Sequence, residues 1–298
     1  MPVPVVLFVY NRPLHTRKTI EALQRNDLAD ETSLYVFADG PRYDADCAAV
    51  DATRESVRGV SGFKHVEIIE RDQNLGLAHS VIRGVSEVIA QHGEVIVVED
   101  DLISSPGFLQ FMNQALAHYR DEAQVFSVSG FSFPVEKPIG YQYDAYCTYR
   151  SMSWSWGTWL NRWQQADWQV SDFASFYGNR RLRKAFNRGG EDLSDLLLLQ
   201  KKGRIDSWSI IWDYTHYKHD AFCLCPTVSK IVNIGFDGSG VHGVDEHIHQ
   251  HMLQQESTAH FALPPPAIEP HYTDAIAGLH RYGRIQRIKA LIKRYLPG

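Results

Sequence analysis

Three adjacent carboxylates, Glu99, Asp100 and Asp101, follow directly after the apolar run at residues 95–98. A strand that is apolar at every position is typical of a sheet buried on both faces, and ligands of such sheets bind beyond the carboxyl ends of the strands. Neighbouring carboxylates repel one another unless a cation joins them, and Mg²⁺ or Mn²⁺ completed by substrate phosphate oxygens suits this need. We therefore predict a divalent metal site at these residues. The alternative is an acidic turn that caps a helix starting near Pro106.

A tryptophan-rich stretch lies in the second half of the chain, at residues 154–168. Aromatic faces suit the apolar faces of sugar rings, and an indole N–H can donate to a hydroxyl. Trp154 and Trp156 stand among small residues, so we predict that they contact a carbohydrate. Trp159 and Trp163 have the spacing of one helix face and are predicted to pack in the core.

Glu191 and Asp192 precede an amphipathic segment that ends at Gly203, which predicts a helix with two acids at its start. The helix dipole stabilises acids at this end, so the pair could be purely structural. A carboxylate placed against a hydroxyl can also act as a general base. Asp195 and Asp206 are the alternatives for that role.

A glycine-rich segment at residues 234–243 can approach a diphosphate through its backbone N–H groups. It contains His242, and His247, His249 and His251 follow soon after. A zinc site among the last three is an alternative, but their two-residue spacing does not place them on one helix face. A solvated, His-rich linker is the favoured interpretation.

The elements that must position these residues are predicted as repeated strand and helix units. Strands are predicted at about residues 3–10, 33–38, 64–70 and 94–98, with intervening helices that end at about residues 26, 59 and 91. This alternation predicts an α/β fold with a mainly parallel sheet flanked by helices. The polar strand ends at 10–12, 39–42 and 71–76 would then converge on the acidic triplet.

The domain boundaries follow from the same pattern. Residues 1–130 are predicted to bind the nucleotide part of a substrate, and residues 131–262 are predicted to bind the second substrate and to carry the catalytic residues. Residues 263–298 form a separate tail, which begins just before three consecutive prolines.

Composition excludes several classes of protein. With 298 residues and 44% hydrophobic content the chain can bury a full core. A net charge of −5 argues against a nucleic-acid-binding protein, so no nucleic-acid partner is expected. The four cysteines form no Cys-x-x-Cys pair of the type that binds metals. The N-terminal apolar run lacks the features of a signal peptide. No apolar run reaches the roughly 18 residues that a membrane-spanning helix needs. We therefore expect a cytoplasmic protein, without a dinucleotide fingerprint or a P-loop.

The order of four short motifs resembles that of the GT-A glycosyltransferases, most closely the bacterial family-2 type and related N-acetylglucosaminyltransferases. These motifs are Asn11-Arg12-Pro13, Asp39-Gly40, the run from Asn74 to Ala78, and Glu99-Asp100-Asp101. The resemblance covers about residues 3–245. It implies a transferase that takes a hexosyl or N-acetylhexosaminyl group from a nucleotide-sugar, with a UDP-sugar as the expected donor.

The resemblance also implies roles for individual residues. Asp39 would contact the base, and Asp101 and His242 would hold Mn²⁺ or Mg²⁺ on the diphosphate. Gly157 would belong to a glycine loop over the donor sugar, and Asp192, with Glu191 beside it, would be the general base. The remaining donor-binding residues would be Tyr10, Asn11, Arg12, Arg71, Asn74, Gly76 and Asp100.

Such a division of roles implies an inverting single displacement onto a hydroxyl of a glycan or lipid-linked acceptor, in surface polysaccharide synthesis. The processive signature Gln-x-x-Arg-Trp does not follow Asp192, so one sugar is expected to be added per encounter. A non-catalytic protein that binds a nucleotide-sugar or carbohydrate on the same scaffold is the main alternative. A nucleotidyltransferase is disfavoured, because only Asn11-Arg12-Pro13 follows the first strand where a glycine- and arginine-rich loop is expected.

The last eighteen residues, 281–298, combine six cations with apolar residues on one side of a predicted helix. A basic amphipathic helix can lie on an anionic membrane surface. Docking of this helix on the body of the protein is an equal alternative.

Overall fold

The computed structural model describes residues 1–237, 258 and 260–281. The strands are β1 (Val5–Val9), β2 (Ser33–Ala38), β3 (His65–Glu70), β4 (Glu94–Glu99), β5 (Leu102–Ser104), β6 (Val125–Ser129), β7 (Ala145–Thr148), β8 (Trp156–Trp159), β9 (Phe222–Pro226) and β10 (Ile231–Asn233). The α-helices are α1 (Pro13–Gln24), α2 (Cys47–Arg58), α3 (Leu77–His92), α4 (Phe108–His118), α5 (Leu160–Trp163), α6 (Phe173–Gly178), α7 (Arg180–Phe186), α8 (Leu193–Lys201), α9 (Trp208–Lys218) and α10 (Pro270–Leu279). Short 3₁₀ turns lie at Ala29–Glu31, Asp44–Asp46 and Asn187–Gly189.

One large sheet runs through both halves of the described chain, in the order β3-β2-β1-β4-β8-β6-β9-β7. The first four strands are mutually parallel, and β8 is antiparallel to both β4 and β6. A separate two-stranded ladder pairs β5 with β10 in antiparallel fashion. The α/β fold and the mainly parallel arrangement of the first half are confirmed.

The core lies on both faces of this sheet because successive strand side chains point to opposite sides. In β1, Val5 and Leu7 belong to one apolar cluster and Val6 and Phe8 to the other. The same division occurs in β4, whose four central residues are fully buried. The continuous apolar run therefore reflects a strand covered by helices on both faces.

Helices α6 to α9 form a third apolar cluster beside the sheet, built around Phe176, Leu197 and Tyr214. Within the part of the chain that the structure describes, no helix is long and apolar enough to cross a membrane.

The predicted bounds of the first four strands and three helices agree with the structure to within about three residues at each end. The division at residues 130 and 262 stays a prediction.

Candidate active site

The acidic triplet lies where β4 gives way to β5. Glu99 is the last residue of β4, and Asp100 and Asp101 form the turn that follows. Helix α4 begins only at Phe108, with Gly107 at its N-cap position. The triplet therefore does not cap the following helix, and that alternative is wrong.

Asp100 ties the triplet to the end of β1. The backbone N–H of Tyr10 donates to Asp100 Oδ2 at 3.3 Å, and the Thr19 hydroxyl donates to the Asp100 carbonyl oxygen at 2.8 Å. Burial, reinforced by the neighbouring charge of Asp101, raises the pKa of Glu99 to about 8 and that of Asp100 to about 7. Three crowded carboxyl groups in this setting favour an added positive charge.

Asp101 receives part of that charge from Arg12, whose Nη1 lies 2.9 Å from Asp101 Oδ2. Burial nevertheless raises the pKa of Asp101. The other carboxylate oxygen, Oδ1, is buried and has no hydrogen-bond partner in the structure as described. An unpartnered carboxylate oxygen beside two further carboxyl groups fits the hard oxygen donors that Mg²⁺ and Mn²⁺ prefer.

The described residues supply only part of a metal coordination shell. Among residues 1–237, 258 and 260–281, no group of three or more His, Cys, Asp or Glu side chains is arranged to hold a metal ion. His242, the second predicted ligand, and the histidines at 247, 249 and 251 lie outside the described residues. Substrate oxygens would have to complete the shell around Asp101.

The segment after β10 packs directly against the triplet. The backbone N–H of Ile234 donates to the Asp101 carbonyl oxygen at 2.8 Å. A Cβ atom at Gly235 would lie 2.1 Å from Asp101 Oδ2 and 2.9 Å from Arg12 Nη1. A side chain at this position would therefore displace the Asp101 carboxylate and the Arg12 guanidinium that pairs with it.

A second group of predicted donor residues joins the ends of β2 and β3. The Asp39 carboxylate accepts from the backbone N–H groups of Gly40 and Leu75 at 3.0 to 3.1 Å. The side-chain amide of Asn74 donates to the Gly40 carbonyl oxygen and accepts from the Gly76 N–H. These bonds fix the loop at residues 71–76 against the end of β2, as the convergence of strand ends predicts.

Tyr10 and Asn11 connect this loop region to the triplet side. The Tyr10 hydroxyl donates to Asp46 Oδ2 at 2.7 Å and accepts from the Arg42 N–H at 3.1 Å. The Tyr10 bond is the largest cause of a lowered pKa at Asp46, which Asn11 also contacts. The Arg71 guanidinium lies 5.2 Å from the centre of the Phe37 ring, and its Nη2 lies 3.8 Å from Glu87 Oε1.

A pocket of about 280 Å³ lies on the second side of the site. It is lined by Phe131, Phe133, Arg150, Ser151, Met152, Ser153, Trp154, Ser209, Asp213 and His280. We call it the acceptor-side pocket, after the acceptor contact predicted for Trp154. The half-buried Trp154 connects it to the triplet, because its ring lies 4.5 Å from Phe131 and 5.5 Å from Phe236, the neighbour of Gly235.

Trp156 and Gly157 do not occupy the predicted positions. Trp156 is only 1% exposed and stacks with Trp163 and Trp208 in the core, so the prediction that it contacts an acceptor is wrong. Gly157 lies in β8, opposite Ile96, rather than in a loop over the donor. Strong β-propensity of a tryptophan-rich segment outweighed the loop character suggested by its small residues.

The core prediction for Trp159 and Trp163 is confirmed, since each is only 3% exposed. The predicted reason, that both lie on the same face of one helix, is wrong, because Trp159 ends β8 and Trp163 belongs to α5.

Asp192 lies at the N-cap position of α8, so the helix predicted after it is present. Its Oδ1 and Oδ2 accept from Nη1 and Nη2 of Arg150 at 2.8 and 2.9 Å. Glu191, which precedes it, accepts from the Asn187 side-chain amide through its backbone carbonyl. Asp192 is therefore held against one wall of the acceptor-side pocket.

The two alternatives to Asp192 lie in different surroundings. Asp195 is exposed on α8. Asp206 is also exposed, and its Oδ2 lies 3.4 Å from the Ala78 N–H at the start of α3 and within 2.9 Å of where a Gly76 Cβ would stand. Asp206 thus adjoins the donor-side loop.

Asp213 is a functional candidate that the sequence analysis missed. It lies within α9, lines the acceptor-side pocket and accepts from the Ser151 N–H at 2.7 Å. Burial raises its pKa to about 6, against the opposing effect of Arg150. In the sequence, Asp213 could have been noticed as the single acid within the mostly apolar segment 208–214.

Comparison with known proteins gives distant structural likenesses. No protein-family model matches the sequence, and a search of curated proteins gives no match. A structure of S. aureus TarS resembles the chain with 14% sequence identity and a TM-score of 0.36, over 56% of this chain and 50% of that one. An active-site mutant of LgtC has 14% identity and a TM-score of 0.38, over 72% of this chain and 70% of that one. UDP-glucose pyrophosphorylase with UDP-glucose has 8% identity and a TM-score of 0.35, over 76% of this chain and 91% of that one. The chain thus spans about half the length of this TarS structure. At these scores the likenesses do not decide function, which rests on the residues of the site.

Proposed function

We propose that the protein is a glycosyltransferase of the GT-A type, which moves a sugar from a nucleotide-sugar, with a UDP-sugar as the proposed donor, to a hydroxyl of a glycan or lipid-linked acceptor. The observation that carries this proposal is the convergence of four chain segments, around Tyr10, Asp39, Asn74 and Asp101, at one end of the parallel strands. Ligand sites of such sheets lie at this end. The acceptor-side pocket adjoins it through Trp154.

On the donor side, the loop held by Asp39 and Asn74 would receive the nucleotide, and Arg12 would lie against the diphosphate. Asp101, with His242 as the proposed second ligand, would hold Mn²⁺ or Mg²⁺. A metal bound there supplies positive charge that stabilises the departing diphosphate. The Arg12 guanidinium would remain beside Asp101 and add to that charge.

On the acceptor side, Trp154 would support a sugar ring, and a carboxylate would accept the proton of the attacking hydroxyl. Asp192 is our proposed base, acting in an inverting, non-processive transfer. Arg150 uses one acceptor site on each oxygen of Asp192, so this carboxylate would take the proton at a remaining lone pair. Both alternatives, Asp195 and Asp206, are exposed, and Asp206 is the stronger one because it adjoins the donor-side loop.

Asn substitutions distinguish these bases. We expect Asp192→Asn to keep donor affinity and to lower transfer by about 10² to 10⁴, the range for loss of a general base. Asp195→Asn serves as the matched control on the same helix and should retain transfer. Loss of transfer in Asp206→Asn, with normal transfer in Asp192→Asn, would reassign the base.

Thermal unfolding with a panel of nucleotide-sugars and Mn²⁺ tests the proposed donor class. A ligand that binds only the folded protein raises its unfolding temperature. We expect a metal-dependent rise with at least one nucleotide-sugar, and UDP release once an acceptor is supplied. Stabilisation without any turnover across a broad acceptor panel would favour the non-catalytic alternative.

A further inference from the structure

The charges around the acceptor-side pocket are unequal. Arg150 contributes one positive charge, and both of its terminal nitrogens bind the Asp192 carboxylate at 2.8 and 2.9 Å. A bidentate pair of this kind largely neutralises itself. Asp213 is a second carboxylate and lines the pocket itself, with its Oδ1 bound to the Ser151 N–H. The two carboxylates and the one guanidinium therefore leave this pocket with one net negative charge.

The remaining lining residues do not offset that charge. Three aromatic rings, Phe131, Phe133 and Trp154, form the apolar part of the wall. His280 also lines the pocket, and burial lowers its pKa, which keeps it neutral near pH 7. An aromatic wall beside a single carboxylate matches a polyhydroxylated ring with one apolar face.

We propose that this pocket selects acceptors by charge: it binds a neutral sugar ring, stacked on Trp154 with hydroxyls donating to Asp213, and rejects a ring that carries a carboxylate. This inference rests on the proposed function, because it names the acceptor class of that reaction. Specificity of this kind comes from repulsion of the wrong ligand as well as attraction of the right one. Hydrogen bonds from hydroxyls to an ionised carboxylate are stronger than those between neutral groups.

The protonation of Asp213 supports the same inference. With a pKa of about 6, its carboxyl is ionised near pH 7.5 and largely protonated near pH 5. The titratable groups that face it are Arg150, Asp192, Cys223 and His280. Near pH 5 the protonation of Asp213 lowers the negative charge of the pocket, and any protonation of His280 acts in the same direction.

Saturation-transfer NMR with matched ligand pairs tests the proposal. Each pair is a methyl hexoside of the gluco, galacto or manno series and the corresponding methyl hexuronide, which differ only at C6. The full-length protein is titrated with UDP and Mg²⁺ present, because Mg²⁺ is diamagnetic and does not broaden the ligand signals. We expect at least one neutral glycoside to bind at least about tenfold more tightly than its uronide near pH 7.5. The ratio of the two dissociation constants, uronide to neutral glycoside, should be smaller near pH 5.

Asp213→Asn should reduce the same ratio to about threefold or less, because the amide carries no charge. Asp51→Asn, which removes an exposed carboxylate from α2, is the charge-matched control and should keep the wild-type ratio. A purely structural role for Asp213 would weaken both members of a pair equally. If Asp213→Asn does not fold, the pH dependence of the wild-type ratio decides.

Two outcomes would overturn the inference: no neutral glycoside binds, or uronides bind as well as their neutral partners near pH 7.5. Thermal unfolding of the same protein with and without UDP and Mn²⁺ measures whether UDP binds. This measurement separates failure of the acceptor inference from failure of the proposed function. If UDP binds but charge selection is absent, only the acceptor inference is lost. If neither UDP nor a sugar binds, the proposed function fails as well.

Discussion

At the scale of single residues, the proposed donor side depends on a carboxylate, Asp39, that organises the backbone. Asp39 accepts from Gly40 and Leu75, and so holds together two loops that are 36 residues apart in sequence. Hydrogen bonds from backbone N–H groups to an ionised carboxylate are charge-assisted. The proposed nucleotide site is therefore shaped by Asp39 before any nucleotide arrives.

We predict that Asp39→Ala lowers the free energy of unfolding by about 1 to 3 kcal/mol, because two partly buried N–H groups lose their acceptor. It should also weaken nucleotide binding. Asp39→Asn keeps one acceptor oxygen and should lose less stability. Denaturant unfolding of the three proteins measures the difference, and equal stability of Asp39→Ala and wild type would contradict this role.

Residues with a local signature were predictable from the sequence, and those defined by tertiary contacts were not. The triplet was found because an apolar run ends at three acids. Arg150 and Asp213 were missed because their partners, Asp192 and Ser151, lie 42 and 62 positions away in sequence, which no local pattern reveals. Trp156 was misplaced because exposed and buried tryptophans share the same sequence context.

At the scale of elements, the position of α9 determines where Asp213 points, and His216 anchors that helix to β6. The carbonyl oxygen of Trp212 can only accept, so His216 Nδ1 carries the proton and Nε2 accepts from the Ser127 hydroxyl at 2.9 Å. Complete burial lowers the pKa of His216 to about 4.

This shift predicts a specific dependence of stability on pH. Between pH 6.5 and about 4 the unfolded chain binds a proton at this histidine and the folded protein does not, so stability falls as pH falls through that window. The contribution is up to about 3 kcal/mol. We expect His216→Asn to show a shallower decline than wild type, while the exposed-site control His79→Gln keeps the wild-type slope. Identical slopes in all three would contradict the assignment.

Strand β8 joins the parallel half of the sheet to the rest, and Gly157 makes this junction possible. A Cβ atom at Gly157 would lie 2.9 Å from the Val95 carbonyl oxygen, which is backbone and cannot move aside cheaply. We predict that Gly157→Ala costs about 1 to 3 kcal/mol of stability. Gly178→Ala is the matched control, because a Cβ there meets nothing within 4 Å. Urea unfolding should show a loss in the first variant alone, and a neutral Gly157→Ala would refute the close approach.

Element types and order in the first half were predictable, since each strand and helix has its own periodicity and turn signals. The antiparallel insertion of β8 between β4 and β6 was not, because a four-residue strand carries too little pattern. The same limit applies to β5 and β10, which pair across more than 120 residues of sequence.

At the scale of the whole molecule, the sheet places the proposed donor-side edge beside the acceptor-side pocket, and α10 ends next to that pocket, which His280 lines. Tyr272 and Ile276 of α10 are fully buried in the main core, so this helix belongs to the fold. Residues 282–298, which carry most of the predicted basic helix, lie outside the described residues. The membrane contact of residues 281–298 therefore stays a prediction.

We predict that truncation after Arg281 abolishes co-sedimentation with anionic vesicles at low salt and leaves the unfolding temperature unchanged. The deleted cations would each contribute about 1 kcal/mol of attraction, which salt screens. Neutral vesicles serve as the control. Failure of the intact protein to bind anionic vesicles, or unfolding of the truncated one, would assign the tail to the body of the protein.

Calorimetric titration of UDP with and without Mn²⁺ tests whether the edge formed by Glu99, Asp100 and Asp101 binds a nucleoside diphosphate through a metal at Asp101. Wild type and the control Asp51→Asn should bind UDP at least about tenfold more tightly with Mn²⁺ than without it. Asp101→Asn should lose that enhancement, because an amide brings no negative charge to a hard cation. Metal-dependent UDP binding that is unchanged in Asp101→Asn, or no UDP binding by the wild type, would contradict the account.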